Sequence, residues 1–226
     1  MTLPERLAAF RAKFAAGAPP YNAPVSVHDL MQRATDELIA SGAAERALRA
    51  GDRAPEFALK NADGHEVSSR DLLTRGPLVV TFYRGVWCPY CNMDLQALQE
   101  ALPAIREHGG QLLAISPQTQ SNSRKSQREN NLTFPILSDS RNEVAAHFGL
   151  RFTLPDYLIK LYRDTLKNDL SRINGDPTWS LPMPARYVIG TDGVTAYAEV
   201  NPDYTHLPDP EELLPVLSAL KNSFPA

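Results

Sequence analysis

Two cysteines occur in the 226-residue sequence, three positions apart in the run Trp87-Cys88-Pro89-Tyr90-Cys91. Two thiols at this spacing can cycle between dithiol and disulfide. Pro89 suits the first position of a helix, where its missing N–H costs nothing, and this predicts Cys88 at the N-cap. Free backbone N–H groups and the helix dipole would there favour the thiolate, which is the nucleophilic form. Cys91 would lie one turn further, within reach for a disulfide. The count excludes a framework of structural disulfides, and an all-cysteine zinc site would need a second pair. The competing reading, two small buried apolar side chains, leaves the flanking tryptophan and the intervening proline unexplained.

The elements that must position this pair are legible on either side of it. Leu78-Val79-Val80-Thr81-Phe82-Tyr83 is apolar and β-rich, as a central strand buried on both faces would be. Beyond the cysteines, Leu95, Leu98, Leu102 and Ile105 make a helical stripe. Gln111–Ser116 predicts a second central strand, Ser121–Asn130 a polar helix, and Phe134–Leu137 a third strand. Glu143–Phe148 predicts a helix stopped by Gly149. Residues 151–182 read as a helical insertion, with Leu158, Leu161, Tyr162 and Leu166 on one face. Tyr187–Ile189 and Thr195–Val200, joined across Asp192-Gly193, predict a hairpin, and Glu211–Leu220 a closing helix. Upstream, Ala54–Leu59 and His65–Val67 predict short strands around the turn Asn61–Gly64. This alternation predicts an α/β domain over 51–226 with a mixed sheet. Residues 1–50 read as a helical extension. Leu3, Leu7, Phe10 and Phe14 line a first helix ended by Gly17-Ala18-Pro19-Pro20, and a second starts from Ser26 as N-cap and is interrupted at Ser41-Gly42.

Composition narrows the partners. The net charge of -3 carries no basic excess of the kind that nucleic-acid or membrane-surface binding requires. The longest apolar run is far short of the ~20 residues of a membrane-spanning helix. Glu5, Arg6, Arg11 and Lys13 interrupt any apolar stretch at the N-terminus, so no secretory signal is read there and a cytoplasmic protein is expected. The five histidines are scattered without metal-ligand spacing, and no cofactor or metal is expected. Arg124, Lys125 and Arg128, beside Glu129, read as a solvated helix face.

Phe82-Tyr83-Arg84-Gly85-Val86-Trp87-Cys88-Pro89-Tyr90-Cys91 resembles the peroxiredoxin-like branch of the alkyl hydroperoxide reductase / thiol-specific antioxidant family. Gly51–Phe57 resembles the opening of such domains. Leu181–Ile189 with Asp192-Gly193, and Asp203-Tyr204-Thr205, resemble their C-terminal half. The resemblance covers roughly residues 51–220 and implies a thioredoxin-like fold, a mixed β-sheet flanked by helices. In the register of typical peroxiredoxins, the peroxide-attacking cysteine falls on Cys91, the loop threonine on Cys88 and the loop proline on Arg84. The late-strand arginine falls on Pro184, with Arg186 two residues on. In the thioredoxin register, Trp87–Cys91 matches the active-site motif and Pro184 the cis-proline that faces it.

The two registers leave open which cysteine attacks first. Arg84 is a candidate to stabilise a thiolate, its alternative being a surface ion pair. Asp94 resembles the acidic residue that peroxiredoxins carry after the cysteine, its alternative being an exposed acid in the first helical turn. Trp87 is expected to shield the pair. The resemblance implies reduction of hydroperoxides through a Cys88/Cys91 cycle, with thioredoxin or a similar thiol as reductant and a homodimer as assembly. Two other functions compete: a protein disulfide oxidoreductase with little peroxidase activity, and a non-catalytic redox sensor or interaction module.

Overall fold

The computed structural model describes residues 1–19 and 22–223. Pro20, in the expected end of the first helix, and residues 224–226 of the expected 51–226 domain lie outside them. The helices are α1 (Leu3–Ala15), α2 (Val25–Ala40), α3 (Ser69–Leu73), α4 (Pro89–Glu107), α5 (Gln120–Glu129), α6 (Glu143–His147), α7 (Asp156–Lys160), α8 (Leu170–Asn174) and α9 (Leu213–Ser223). The strands are β1 (Ala58–Asn61), β2 (Glu66–Ser68), β3 (Leu78–Phe82), β4 (Gln111–Ser116), β5 (Ile136–Ser138), β6 (Arg151–Thr153), β7 (Ser180–Pro182), β8 (Ala185–Ile189) and β9 (Thr195–Val200).

Seven strands form one mixed sheet in the order β2-β1-β5-β4-β3-β8-β9. β3, β4 and β5 run parallel, whereas β8 lies antiparallel to β3 and β9 antiparallel to β8. The register sets Phe82 against Ile115 on one side and Ala185 on the other. Every residue of β3 is buried, as its continuous apolar run requires. Its side chains alternate between two cores, as a strand's period of two dictates. Val79 joins the core under α1, α4 and α9, while Leu78, Val80 and Phe82 join the opposite one with Phe148, Met183 and Tyr187.

A third apolar cluster fills the space between α2 and residues 154–170. The single amphipathic helix expected there is instead α7, continued by a π turn over Leu161–Thr165. Its expected apolar face is nonetheless the buried one, with Leu158, Leu161 and Tyr162 inside. The rest of the insertion holds α8 and the two-stranded ribbon of β6 and β7.

Two N-terminal details differ from expectation. Pro24 occupies the N-cap of α2 in place of Ser26, with φ -58° and no side-chain cap bond. Proline's ring fixes φ near that value, so the chain enters the helix without a cap. Ser41-Gly42 ends α2 and does not interrupt it, because Gly42 adopts a left-handed conformation and a 3-10 turn, Ala43–Arg46, follows. That turn docks on Gly149 (φ +73°), where an added Cβ would stand 2.3 Å from the Arg46 carbonyl oxygen. α1 has the full capping box, Thr2 with Glu5, and lays Leu3 and Leu7 on the core beside α4. Ala54–Phe57 is tied by the Ala54 N–H to the Gly193 carbonyl (2.9 Å) and by the Phe57 carbonyl to the Ser69 N–H (2.9 Å) but joins no strand ladder, so β1 begins only at Ala58.

Candidate active site

β3 delivers the chain to a tight loop, Tyr83–Trp87, that ends in the cysteine motif. Gly85 has φ +143°, and a Cβ on it would meet the Trp87 indole nitrogen at 2.7 Å, so this turn requires glycine. The loop is held at its middle. The Val86 N–H donates to Gln118 Oε1 (2.9 Å), while Asn92 Nδ2 donates to the Val86 carbonyl (2.9 Å). Gln118 Nε2 in turn donates to the Tyr83 hydroxyl (2.7 Å), so a fully buried glutamine ties loop to strand.

Cys88 is the N-cap of α4 and Pro89 its first residue, as the motif predicts. The Cys91 N–H donates to Cys88 Sγ (3.4 Å), and the Cys91 thiol points at the same sulfur, 2.8 Å away. Both cysteines are only 1% exposed. Burial pushes the Cys88 thiol up. The hydrogen bond from Cys91, the Arg84 guanidinium and the N–H groups of Cys91 and Tyr90 outweigh it, and bring Cys88 below the ordinary thiol value, to about 7. Burial raises Cys91 well above the ordinary value, and donating its proton toward Cys88 raises it further. The arrangement therefore favours negative charge on Cys88 and keeps the proton on Cys91.

Arg84 is not a surface residue. It is 2% exposed and touches no carboxylate among the described residues. Its guanidinium carbon lies 3.9 Å from the Tyr204 ring centroid and 4.8 Å from that of Trp87, and Nη2 donates to the Tyr162 hydroxyl at 2.6 Å. Nε and Nη1 have no hydrogen-bond partner among the described residues. Burial opposes its charge, but the neighbouring Tyr162 and the Cys88 thiolate offset that, and the arginine is held protonated. Trp87 packs edge-on against Tyr162, with ring centroids 5.3 Å apart, and closes one side of the site. Tyr90 is wedged between Phe10 of α1 and Tyr204. Pro184 directly precedes β8, one position beyond the Ala185–Phe82 pair, and so lies at the same end of the sheet as the cysteine loop.

Asp94 is also buried, which corrects the reading of an exposed acid, and is paired with Arg186 of β8. Arg186 also donates to the Pro208 carbonyl (3.0 Å). Burial pushes the Asp94 carboxyl above its usual range, and Arg186 pulls it back part of the way. The pair ties α4 to β8. Asp94→Asn would leave a buried guanidinium without its counter-charge, and is expected to cost about 3 kcal/mol or more, read as a lowered midpoint in thermal unfolding. The apolar double variant Asp94→Leu/Arg186→Met is expected to recover most of that loss, because both desolvated charges are then gone.

Sequence reasoning singles out Cys88, Cys91, Trp87, Arg84, Pro184 and Asp94; the structure gathers the first four, sets Pro184 at the same end of the sheet, and turns Asp94 away to Arg186. It missed Tyr162, Tyr204 and Gln118 as site residues. Tyr162 was visible only as part of a helical stripe, Tyr204 only as part of a family-like run, and Gln118 gave no signal at all.

The model of the AhpC/TSA family matches residues 50–198. Among curated proteins, the thiol-disulfide oxidoreductase ResA of Geobacillus thermodenitrificans is 30% identical over 105 residues, 46% of this chain and 59% of that protein. Peroxiredoxin Bcp of Escherichia coli is 30% identical over 103 residues, 46% of this chain and 65% of its own. The chain thus spans about three fifths of the length of these relatives. Among solved structures, peroxidoxin BcpB from Mycobacterium tuberculosis superimposes with a TM-score of 0.60 at 21% identity, covering 76% of this chain and 97% of that one. A cysteine-to-serine mutant of the peroxiredoxin 6 of Arenicola marina gives 0.62 at 18% identity, covering 78% and 74%. These likenesses establish the thioredoxin-like, peroxiredoxin-type fold. With the family match running over most of the chain, from before β1 into β9, the protein belongs to the AhpC/TSA family.

Proposed function

We propose that the protein is a thiol peroxidase in which Cys88 attacks and Cys91 resolves. The Cys88 thiolate attacks the terminal oxygen of a hydroperoxide, the O–O bond breaks, and Cys88 becomes a sulfenic acid. The departing alkoxide takes the Cys91 proton and leaves as the alcohol. The Cys91 thiolate then attacks the Cys88 sulfur and expels hydroxide, which solvent protonates to water, and the Cys88–Cys91 disulfide remains. Two electrons from an external dithiol, thioredoxin or a similar protein, restore the pair. Arg84 takes the role that the late-strand arginine has in typical peroxiredoxins: its unbonded Nε and Nη1 are available to donate to an oxygen that gains negative charge beside Cys88.

The observation that carries this reading is the pairing of a stabilised thiolate with a proton-bearing thiol 2.8 Å away, both beneath aromatic side chains. The likeness to ResA supports a second reading, exchange with protein disulfides. Both readings need a protein thiol or disulfide to reach sulfurs that are 1% exposed, so burial does not separate them; the buried Arg84 donors, free to meet an oxygen, favour the peroxidase. Stopped-flow mixing of the reduced protein with hydrogen peroxide, followed by tryptophan fluorescence, separates the two. A rate orders of magnitude above that of free cysteine is expected. A rate like that of free cysteine, together with rapid insulin reduction, would establish the disulfide oxidoreductase instead.

The same measurement has an expected pH dependence. The thiolate is the reactive form and Cys88 sits near 7, so the second-order rate should rise with pH through a midpoint at about 7 and level off above 8. A midpoint near the ordinary thiol value would contradict the assigned nucleophile. We place the protein in a thiol-reducing compartment such as the cytoplasm, since the cycle depends on a supply of reduced thiol. The homodimer that family likeness suggests is checked by light scattering.

A further inference from the structure

A cavity of about 370 Å³ opens between α2, the Ala43–Arg46 turn and residues 151–158, and reaches inward to Arg84, Tyr162, Pro184 and Tyr204. Its walls are apolar, with Leu38, Phe152, Leu154 and Leu158 among them. The inner end is walled by Arg84 with Tyr162, whose hydroxyl accepts from it (2.6 Å), and Tyr204, whose ring packs on its guanidinium (3.9 Å). Its rim carries Arg46 and Arg151, both exposed. Neither takes part in an ion pair among the described residues, and the Arg151 guanidinium donates only to the Arg141 carbonyl (3.4 Å) among them. The acidic group at the rim, Glu37, is already engaged by Arg33 (2.8 Å) and the Tyr157 hydroxyl (2.6 Å). An apolar channel with two unpaired cations at its mouth, and a buried cation with unbonded N–H groups at its end, is matched by one kind of molecule.

We infer that this cavity binds an amphipathic carboxylate, and that the preferred substrate is a medium-chain hydroperoxide with its carboxylate at Arg46 and Arg151 and its peroxide end at Arg84. At about 370 Å³ the cavity lies within the range of small-molecule pockets, roughly 300–1,000 Å³, and has room for a chain of about ten carbons with its carboxylate. The hydrocarbon would displace water from apolar walls, while the charged head keeps charge-assisted bonds at a solvated rim. The carboxylate and the peroxide must sit at opposite ends of the molecule. The N-terminal residues gain a function by this inference: α2 and the turn after it supply one wall and half of the rim. The peroxide half of the inference rests on the proposed peroxidase activity, whereas the carboxylate half does not.

Titration calorimetry of the reduced protein with decanoate, compared with decanol, tests the carboxylate half without any turnover. One-to-one binding is expected, at least about tenfold tighter for decanoate than for decanol. Arg46→Gln/Arg151→Gln, two exposed changes that leave the core intact, should remove most of that difference. Ala34→Trp, which places an indole in the cavity, should weaken both ligands. No decanoate binding up to millimolar concentration, equal binding of the two ligands, or affinities unmoved by Ala34→Trp would each overturn the inference. For the substrate half, kcat/KM for a ten-carbon hydroperoxy acid is expected to exceed that of its methyl ester about tenfold. Equal values would overturn that half. Decanoate binding in a protein that no peroxide oxidises would refute the peroxidase and leave the pocket standing. Rapid peroxide turnover without decanoate binding would do the reverse.

Discussion

Cys88→Ser is expected to lower peroxide consumption by about a thousandfold or more, since the nucleophile itself is removed and a serine hydroxyl at the same N-cap is not ionised near neutral pH. Cys91→Ser should behave differently. Its Cys88 should still attack, so the first turnover survives, but no thiol remains 2.8 Å away to resolve the product. A sulfenic acid should then accumulate and be trapped by a dimedone-type reagent in stoichiometric amount, read by mass spectrometry. The peroxiredoxin register places attack on Cys91, and that assignment demands the opposite pair of results. The two serine variants therefore decide between the helix-cap argument and the register argument.

Arg84→Met is expected to slow peroxide reduction by about 10²- to 10³-fold, the loss typical when one preorganised donor to a developing oxyanion is removed. The pH midpoint should also move up from about 7, because the guanidinium is one of the groups that hold Cys88 down. Arg84→Lys should rescue only part, since an ammonium on a flexible stem does not reproduce the planar fork stacked between Tyr204 and Trp87. Thermal unfolding should move the other way. Arg84 is a buried cation with no carboxylate partner among the described residues, so a methionine of similar reach should keep or raise the unfolding midpoint. Slower catalysis in a protein at least as stable is the signature of a residue retained for chemistry. A stability loss in step with the activity would instead make Arg84 a structural residue.

What could be read from the sequence was what is encoded locally. The cysteine pair, its N-cap and Pro89 lie within a few positions, and geometry follows from spacing alone. β3 and β4 were legible because their apolar runs are continuous. Asp94 carries a signal that the sequence does contain: Cys91, Leu95, Leu98, Leu102 and Ile105 form one buried face of α4, and position 94 belongs to it. Arg84 could not be placed from sequence. Its surroundings come from Tyr162 and Tyr204, far along the chain, and only the packing of the 151–182 insertion and of the segment after β9 brings them in. Gln118 was illegible for the same reason, a polar residue after a strand whose partner is a loop residue 32 positions away.

The buried guanidinium beside Cys88 has a consequence for redox poise. A charge that stabilises the thiolate stabilises the reduced protein, since the disulfide carries no charge for it to act on. In a pH range where the thiolate predominates, one unit of pKa depression corresponds to about 1.4 kcal/mol, or roughly 30 mV for a two-electron couple. On the proposed cycle, Arg84 would shift the Cys88–Cys91 disulfide toward the oxidising end of its range, where weaker reductants suffice to regenerate it. The residue proposed to help the thiolate meet peroxide would then also be the one that keeps it supplied.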